Sequence, residues 1–418
     1  MELEYLKVRK NNLNLTAINN MKHKPGLLIK IIIAIVLGIL ASFILPAPLV
    51  KVFVTFNSIF SNFLGFTIPL IILGLVAPGI ADLGKGAGRL LGITTIIAYG
   101  STLFSGFFSY FTTRWSLPLI IDRESSFQSF GSLTGSEITP FFSIDMPPLM
   151  SVTTALIFAF VMGLGIASIN GSAMKNVLSE FRDLVTVVIV KVIIPFLPLY
   201  IFGIFLKIAE EGQAVMIMNL FFKVIIVIFI MHILLLLFQY IAAGIYTRKN
   251  PFRALITMLP AYMTALGTQS SAATIPVTLA QAKKNGVEEE IADFVIPLCA
   301  TIHLAGSMLK IVSCAFAIMW MLNMPAGLDL FTGFIFMLGI TMVAAPGVPG
   351  GAIMAAVGVL QSMLGFDQNA IGLMIALYIA MDSFGTAANV TGDGAIALVM
   401  NKIHTDRKLR TKIKEERL

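Results

Sequence analysis

The chain has 418 residues, 57% of them hydrophobic and 12% charged, where an ordinary soluble domain carries roughly 25% charged residues. That balance, with apolar runs recurring from end to end, excludes a secreted globular domain and asks for lipid around the protein. The formal charge of +7 comes from lysines and arginines at the ends of apolar runs, without interleaved aromatics, so it reads as a membrane-topology signal and not as a nucleic-acid surface.

In chain order, the basic stretch of Lys7, Arg9, Lys10, Lys22 and Lys24 leads into an apolar run of spanning length. Residues 1–26 are therefore expected in the cytoplasm, and the first helix is expected to stay in the protein. Six full spans are predicted at 27–46, 52–77, 90–112, 149–170, 184–208 and 214–246, each near the roughly 20 residues that cross a bilayer as helix. With the N-terminus inside, the cytoplasmic loops hold Lys85 and Arg89, then Lys175 and Arg182, then Arg248, Lys249 and Arg253, as the positive-inside rule requires. The longest polar connection, with Arg123 between Asp122 and Glu124, is expected as an exposed outer loop.

After residue 250 the apolar stretches shorten and are broken by Gly, Pro, Ser and Thr. The stretch 252–282 is interrupted by Gly267-Thr268-Gln269-Ser270-Ser271-Ala272-Ala273, and 330–364 by Pro346-Gly347-Val348-Pro349-Gly350-Gly351. Neither suits a continuous helix. Unpaired backbone at membrane depth is tolerated only where protein or a watery cavity receives it, so each stretch is predicted as a re-entrant helical hairpin. Separated by a span at 289–322, the pair has the form of an inverted repeat around a transport site. The charged segment 403–418 is expected as a cytoplasmic tail. Lys283 to Glu290 reads as a solvated turn and helix start with no transport role. Cys299 and Cys314 share one apolar segment without a Cys-x-x-Cys spacing, so neither a disulfide nor a thiolate metal site is expected.

The last apolar segment contains Asp382 and Asp393, and a carboxylate at the centre of a membrane helix costs about 2.5 kcal/mol or more. Asn389 stands four residues before Asp393, and Asp382 eleven before it, close to three turns, so all three share a helical stripe. Thr386 and Thr391 lie between them. Gly392-Asp393-Gly394 is expected to weaken the helix and free carbonyl oxygens for a hard cation. The competing reading is a pair of hydrogen-bonded structural carboxylates.

Ser270-Ser271-Ala272-Ala273-Thr274-Ile275-Pro276, Gly347-Val348-Pro349-Gly350-Gly351 and Asn389-Val390-Thr391-Gly392-Asp393, in this order and each in an interrupted segment, make the chain resemble the dicarboxylate/amino acid:cation symporters, the glutamate transporter homologues. The resemblance implies an all-α polytopic membrane protein of eight transmembrane helices plus two re-entrant hairpins. It also implies a homotrimer with a scaffold drawn mainly from 27–250 and a transport core at 251–402 that moves as an elevator, with spans three and six joining that core. For the substrate it implies Ser270, Ser271 and Ala272 as a cradle for an α-carboxylate, Asp382 as partner of an α-ammonium, Thr386 and Asn389 as further hydrogen-bonding groups, and Val348 and Gly350 in a gate. For sodium it implies Asn389 and Asp393 with Cys299, Thr301, His303, Met342 and Ala345, and Tyr99 and Thr102 at a deeper ion site.

Departures from that pattern bear on substrate and ion. Gly385 stands where relatives that take acidic substrates carry an arginine, Tyr378 stands where those relatives often have a bracing carboxylate, and no other cation lies nearby in that helix. A small neutral amino acid is therefore expected, with space at Gly385 for its side chain; an acidic amino acid is the alternative. The run His303-Leu304-Ala305-Gly306-Ser307 places Ala305 where the resemblance implies a sodium-binding carboxylate. Fewer sodium ions per cycle are then expected, with a proton on His303 or the fixed charge of Lys310 in place of a lost ion. The competing readings are a packed histidine and a lysine that reaches towards water. A passive channel is the rival from another class. Neither a His-Glu-x-x-His run, nor a Gly-x-Ser-x-Gly elbow, nor a phosphate-binding Gly-x-x-x-x-Gly-Lys-Ser/Thr loop occurs, which argues against an enzyme, a pump and any organic cofactor. The expected location is the inner membrane of a bacterium, with both termini in the cytoplasm.

Overall fold

The structure, a computed structural model, describes residues 26–83, 89–120, 138–169, 173–212, 214–343, 345, 347 and 349–415. Among these residues it is helical without strands: α1 (Leu27–Ser42), α2 (Ala47–Leu83), α3 (Arg89–Ile120), α4 (Val152–Ser168), α5 (Ala173–Glu210) and α6 (Ala214–Thr247) lead into α7 (Pro251–Thr257), α8 (Leu259–Thr268), α9 (Ser271–Lys284), α10 (Glu289–Ile302), α11 (Ala305–Met321), α12 (Leu328–Val343), α13 (Gly351–Leu364), α14 (Gln368–Ala380) and α15 (Asp382–Glu415). Among the described residues five segments are long and apolar enough to cross a membrane, in α2, α3, α5, α6 and α10–α11 taken together, and six if α14 and α15, bent by 60° at Met381, make one span. Shorter apolar helices include α1, α12 and α13. The chain is thus an all-helical polytopic membrane protein.

Several boundaries differ from the sequence reading. The helices of the second, third and fifth spans, 47–83, 89–120 and 173–210, are longer than predicted because turns with further apolar residues flank the predicted runs. In α5 a π-turn at Ile189–Ile193 inserts one extra backbone step and leads into Pro195 and Pro198, which a regular helix accommodates poorly. The predicted outer loop around Arg123 and the cytoplasmic 1–25 lie outside the described residues. The tail continues as helix to Glu415, supported by an i,i+4 ion pair from Lys402 Nζ to Asp406 Oδ1 of 2.7 Å. Lys283 pairs with Glu289 at 2.7 Å and Asp293 at 3.0 Å, a salt bridge across the α9–α10 turn.

Packing forms two groups of contacts. The helices α1, α2, α4 and α5 pack on one another, while α3 packs on α11 and α12, and α6 and α8–α11 on α15. Large apolar side chains of α1 and α6, such as Ile33, Leu37, Phe222 and Ile230, stay exposed, as lipid contact requires. The chain then makes the same supersecondary unit twice. One hairpin (α8 and α9, tip at Ser270) is followed by a helix broken at His303–Leu304, and a second (α12 and α13, tip at Gly350) is followed by a helix broken at Met381. The breaks follow their tips by similar intervals, 303 − 270 = 33 and 381 − 350 = 31 residues. Each break frees backbone groups and starts a new helix: the start of α11 meets Asn389 of α15, and the start of α15, Asp382, meets Lys310 of α11. The span expected at 289–322 is present as Glu289–Met321 and is built of two helices, α10 and α11, with the break inside it.

Candidate functional site

Asp382 is the first residue of α15, directly after the bend, where the helix dipole favours a carboxylate. Both its oxygens are engaged. Oδ2 accepts from the backbone N–H of Gly350 at 2.8 Å, and Oδ1 accepts from Lys310 Nζ at 3.1 Å. Gly350, at the N-cap of α13, takes φ of +73°, a left-handed conformation natural to glycine, and so turns its N–H onto the carboxylate.

The hairpin tips touch each other beside this carboxylate. Ser270 caps α9, its Oγ accepting from Ala273 N at 3.2 Å, and its hydroxyl donates to Gly347 O at 2.7 Å. Gln269 Nε2 donates to Ser383 Oγ at 2.9 Å and ties the first tip to the start of α15. Ser271 is buried, whereas Ala272 is exposed and lies beside Gly347. Val348 lies outside the described residues. Ser270, Gly347, Gly350 and Asp382 therefore form one cluster, although they come from three separate stretches of chain.

Gly385 is not open space. Lys310 of α11 fills it: a Cβ at Gly385 would stand 2.5 Å from the Lys310 ammonium. The ammonium is completely buried, lies 3.7 Å from the centre of the Tyr378 ring and 3.4 Å from Met381 O, and pairs with Asp382. The expectation of room for a substrate side chain at Gly385 is overturned, and so is the alternative of a lysine reaching for water. The reason is that α11 crosses α15 closely enough to bring a cation across from another helix. Tyr378 supports that cation with its ring face, and its hydroxyl donates to Ser307 Oγ at 3.2 Å. Thr386 lies buried one turn beyond Asp382.

Asn389 closes the break in the seventh span. Its Oδ1 accepts from Gly306 N at 2.7 Å and Ser307 N at 3.2 Å, and its Nδ2 donates to Ser307 Oγ at 3.1 Å. The carboxamide thereby satisfies free donors at the start of α11.

Asp393 is the centre of a second cluster. Gln239 Nε2 donates to Ser101 Oγ at 3.0 Å, Ser101 Oγ lies 3.1 Å from His303 Nε2, and His303 Nδ1 lies 2.8 Å from Asp393 Oδ1. Because Ser101 accepts from the amide, its own hydrogen is available to Nε2, and Nδ1–H donates to the carboxylate; every bond is satisfied by a neutral imidazole. Gln239 Oε1 and Thr391 Oγ1 are buried oxygens without a hydrogen-bond partner among the described residues. Gln239 Oε1 lies, with His303, against Gly392, the neighbour of Asp393 in the chain, and such an oxygen suits a hard cation. Contrary to expectation, α15 runs unbroken through Gly392-Asp393-Gly394. Tyr240 Oη donates to Thr391 O at 2.8 Å, and Cβ atoms at Gly392 and Gly394 would stand 2.7 Å from Gln239 Oε1 and Tyr240 Oη respectively. These glycines admit the polar side chains of α6 instead of loosening the helix.

The remaining candidate ion ligands come from α3, α10 and the end of α12 with the segment after it. Cys299 is buried one turn before His303, its carbonyl accepting from His303 N at 2.8 Å. Thr301 donates to Leu298 O, and Ala345 N donates to Met342 O at 3.1 Å. The Tyr99 hydroxyl donates to Phe336 O at 3.4 Å, and Thr102 to Ala98 O at 2.9 Å, so the side-chain hydroxyls of the deeper pair are engaged by backbone. Sequence reasoning missed Ser101, Gln239 and Tyr240. The available signal was in α6, where His232 and Gln239 interrupt an apolar span seven residues apart and hence on one face; His232 Nε2 lies 3.1 Å from Gly306 O.

Comparison with known proteins places these features in a family. The sodium:dicarboxylate symporter family matches residues 27–403. The serine/threonine transporter SstT of Acinetobacter baumannii (strain AYE) is 29% identical over 388 residues, covering 88% of this chain and 94% of that protein. Its counterpart in strain SDF is 30% identical over the same shares. The human neutral amino acid transporter A is 29% identical over 280 residues, 64% of this chain and 50% of that protein.

Proposed function

Since the chain belongs to the sodium:dicarboxylate symporter family, we propose that it is a secondary symporter, not an enzyme, that carries a small neutral amino acid into the cell together with one sodium ion. The observation that carries this reading is the buried charge. Lys310, Asp382 and Asp393 are the buried lysine and carboxylates among the described residues, and these three side chains in their ordinary charge states give +1 − 2, which leaves −1. A zwitterion adds no net charge, and one monovalent cation brings the sum to zero. An acidic substrate would need a further cation to avoid the cost of moving an uncompensated charge through the membrane. The relatives named for serine and threonine or for neutral amino acids point the same way.

In this reading the tips around Ser270, Ser271 and Ala272 hold the α-carboxylate at a helix N-terminus. Asp382 takes the α-ammonium, Thr386 adds a hydrogen bond, and the loop through Gly347, Val348 and Gly350 opens and closes as a gate. Asp393 holds the cation with Gln239 near it; Cys299, Thr301, Met342 and Ala345 are further backbone ligands. The core from 251 to 402, with α3 and α6, moves against the remaining helices as an elevator within a homotrimer. The protein is assigned to the inner membrane with both termini cytoplasmic, on the strength of its basic loops. The 2.8 Å contact between His303 and Asp393 favours one second reading, a proton on that pair in place of sodium. Competition for uptake into proteoliposomes separates substrate classes: serine, threonine or alanine is expected to inhibit labelled uptake, and aspartate is not. Strong inhibition by aspartate alone would overturn the neutral assignment.

A further inference from the structure

Lys310 performs no step in the transport reading above, yet it is placed with unusual care. Its ammonium meets an aromatic face, a backbone carbonyl and the one carboxylate proposed for the substrate ammonium. Its stem occupies the volume that any side chain at position 385 would need. A lysine ammonium and a substrate α-ammonium are the same chemical group, and both cannot have full use of Asp382 Oδ1. A buried carboxylate left without a cation costs several kcal/mol. A carrier that resets without cargo must therefore keep Asp382 compensated by something of its own.

We propose that Lys310 is a built-in counter-cation: it holds Asp382 whenever no substrate ammonium does, and yields that oxygen to the substrate when cargo binds. Resting on the symport reading, this makes the protein a net importer and not an obligate exchanger, because the return step without cargo carries no unpaired charge at Asp382. When Lys310 yields Oδ1 it keeps the ring of Tyr378 and the carbonyl of Met381, and because Asp382 stays charged and a zwitterion brings its own carboxylate, the exchange leaves the charge sum of the site unchanged. The second oxygen of Asp382, held by Gly350 N at 2.8 Å, links the exchange to the second hairpin tip. When the substrate takes the carboxylate, the tip and the lysine adjust around one group.

The test compares two modes of uptake in proteoliposomes with Lys310→Met. Net uptake is measured into buffer-loaded vesicles under an inward sodium gradient, and exchange into vesicles loaded with unlabelled amino acid. The ratio of net uptake to exchange is expected to fall about tenfold or more, since the uncompensated return becomes limiting. The half-saturating concentration in exchange is expected to fall as well, because a competitor for Asp382 is gone. A structural loss would weaken binding and lower both modes together. Lys310→Arg should keep a ratio nearer that of the unsubstituted protein. Gly385→Ala, whose methyl displaces the ammonium while keeping its charge, should lower the ratio even if Lys310→Met does not fold. An unchanged ratio in every folded variant would overturn the inference while leaving symport intact. Failure of the unsubstituted protein to move any neutral amino acid in either mode would instead sink the symport reading and this inference with it.

Discussion

Asp382→Asn is expected to abolish amino acid uptake and to lower thermal stability sharply, and adding Lys310→Met is expected to restore the stability without the uptake. The single substitution keeps an acceptor for Gly350 N but removes the charge facing Lys310. An ammonium that is completely buried then has no counter-charge, a defect that costs about 3–5 kcal/mol in comparable buried pairs. The double substitution removes both charges, so the two losses should be far from additive, as a double-mutant cycle on contacting residues reveals. Uptake stays lost in both variants because the partner of the α-ammonium is missing, a loss of about a hundredfold or more. Melting curves in detergent and initial rates in proteoliposomes check the two parts separately. Full uptake by Asp382→Asn would mean that the carboxylate is only structural.

Asp393→Asn acts on the other charge. It removes the buried negative charge that Lys310 does not neutralise while preserving size and most hydrogen bonding to His303. Gradient-driven uptake is therefore expected to fall by about a hundredfold, with the residual uptake insensitive to sodium. The check is the sodium dependence of initial rates at fixed membrane potential. A variant that keeps the sodium response of the unsubstituted protein would place the cation elsewhere. Stability should suffer less than in Asp382→Asn, because a neutral imidazole facing an amide leaves no buried charge unpaired.

Much of this site is legible in the sequence because interrupted apolar segments carry local signals. Glycine and proline in the second tip, serine N-capping in the first, and carboxylates in an apolar helix each mark their own position. The groups that define the charge balance are less visible. Lys310 meets Asp382 across 72 residues of chain; the sequence singles the lysine out as a fixed charge beside His303 but holds no local signal of its pairing with Asp382. Gly392 and Gly394 suggest a weakened helix when read locally, yet their lack of side chains serves the approach of Gln239 and Tyr240 from α6. The break at His303–Leu304 is also hidden, since its stabilisation depends on Asn389 accepting from Gly306 and Ser307. In each case the deciding partner is distant in sequence and close only once the helices cross.

The measurement closest to the central claim is the number of charges moved per amino acid, from the reversal potential of labelled serine or threonine flux in proteoliposomes with sodium and proton gradients imposed in turn. One positive charge per amino acid is expected, carried by sodium, with the proton gradient as the driving ion only if His303 and Asp393 share a proton. A value of two or more charges, or flux that ignores both gradients, would contradict a core whose buried side chains leave a single negative charge.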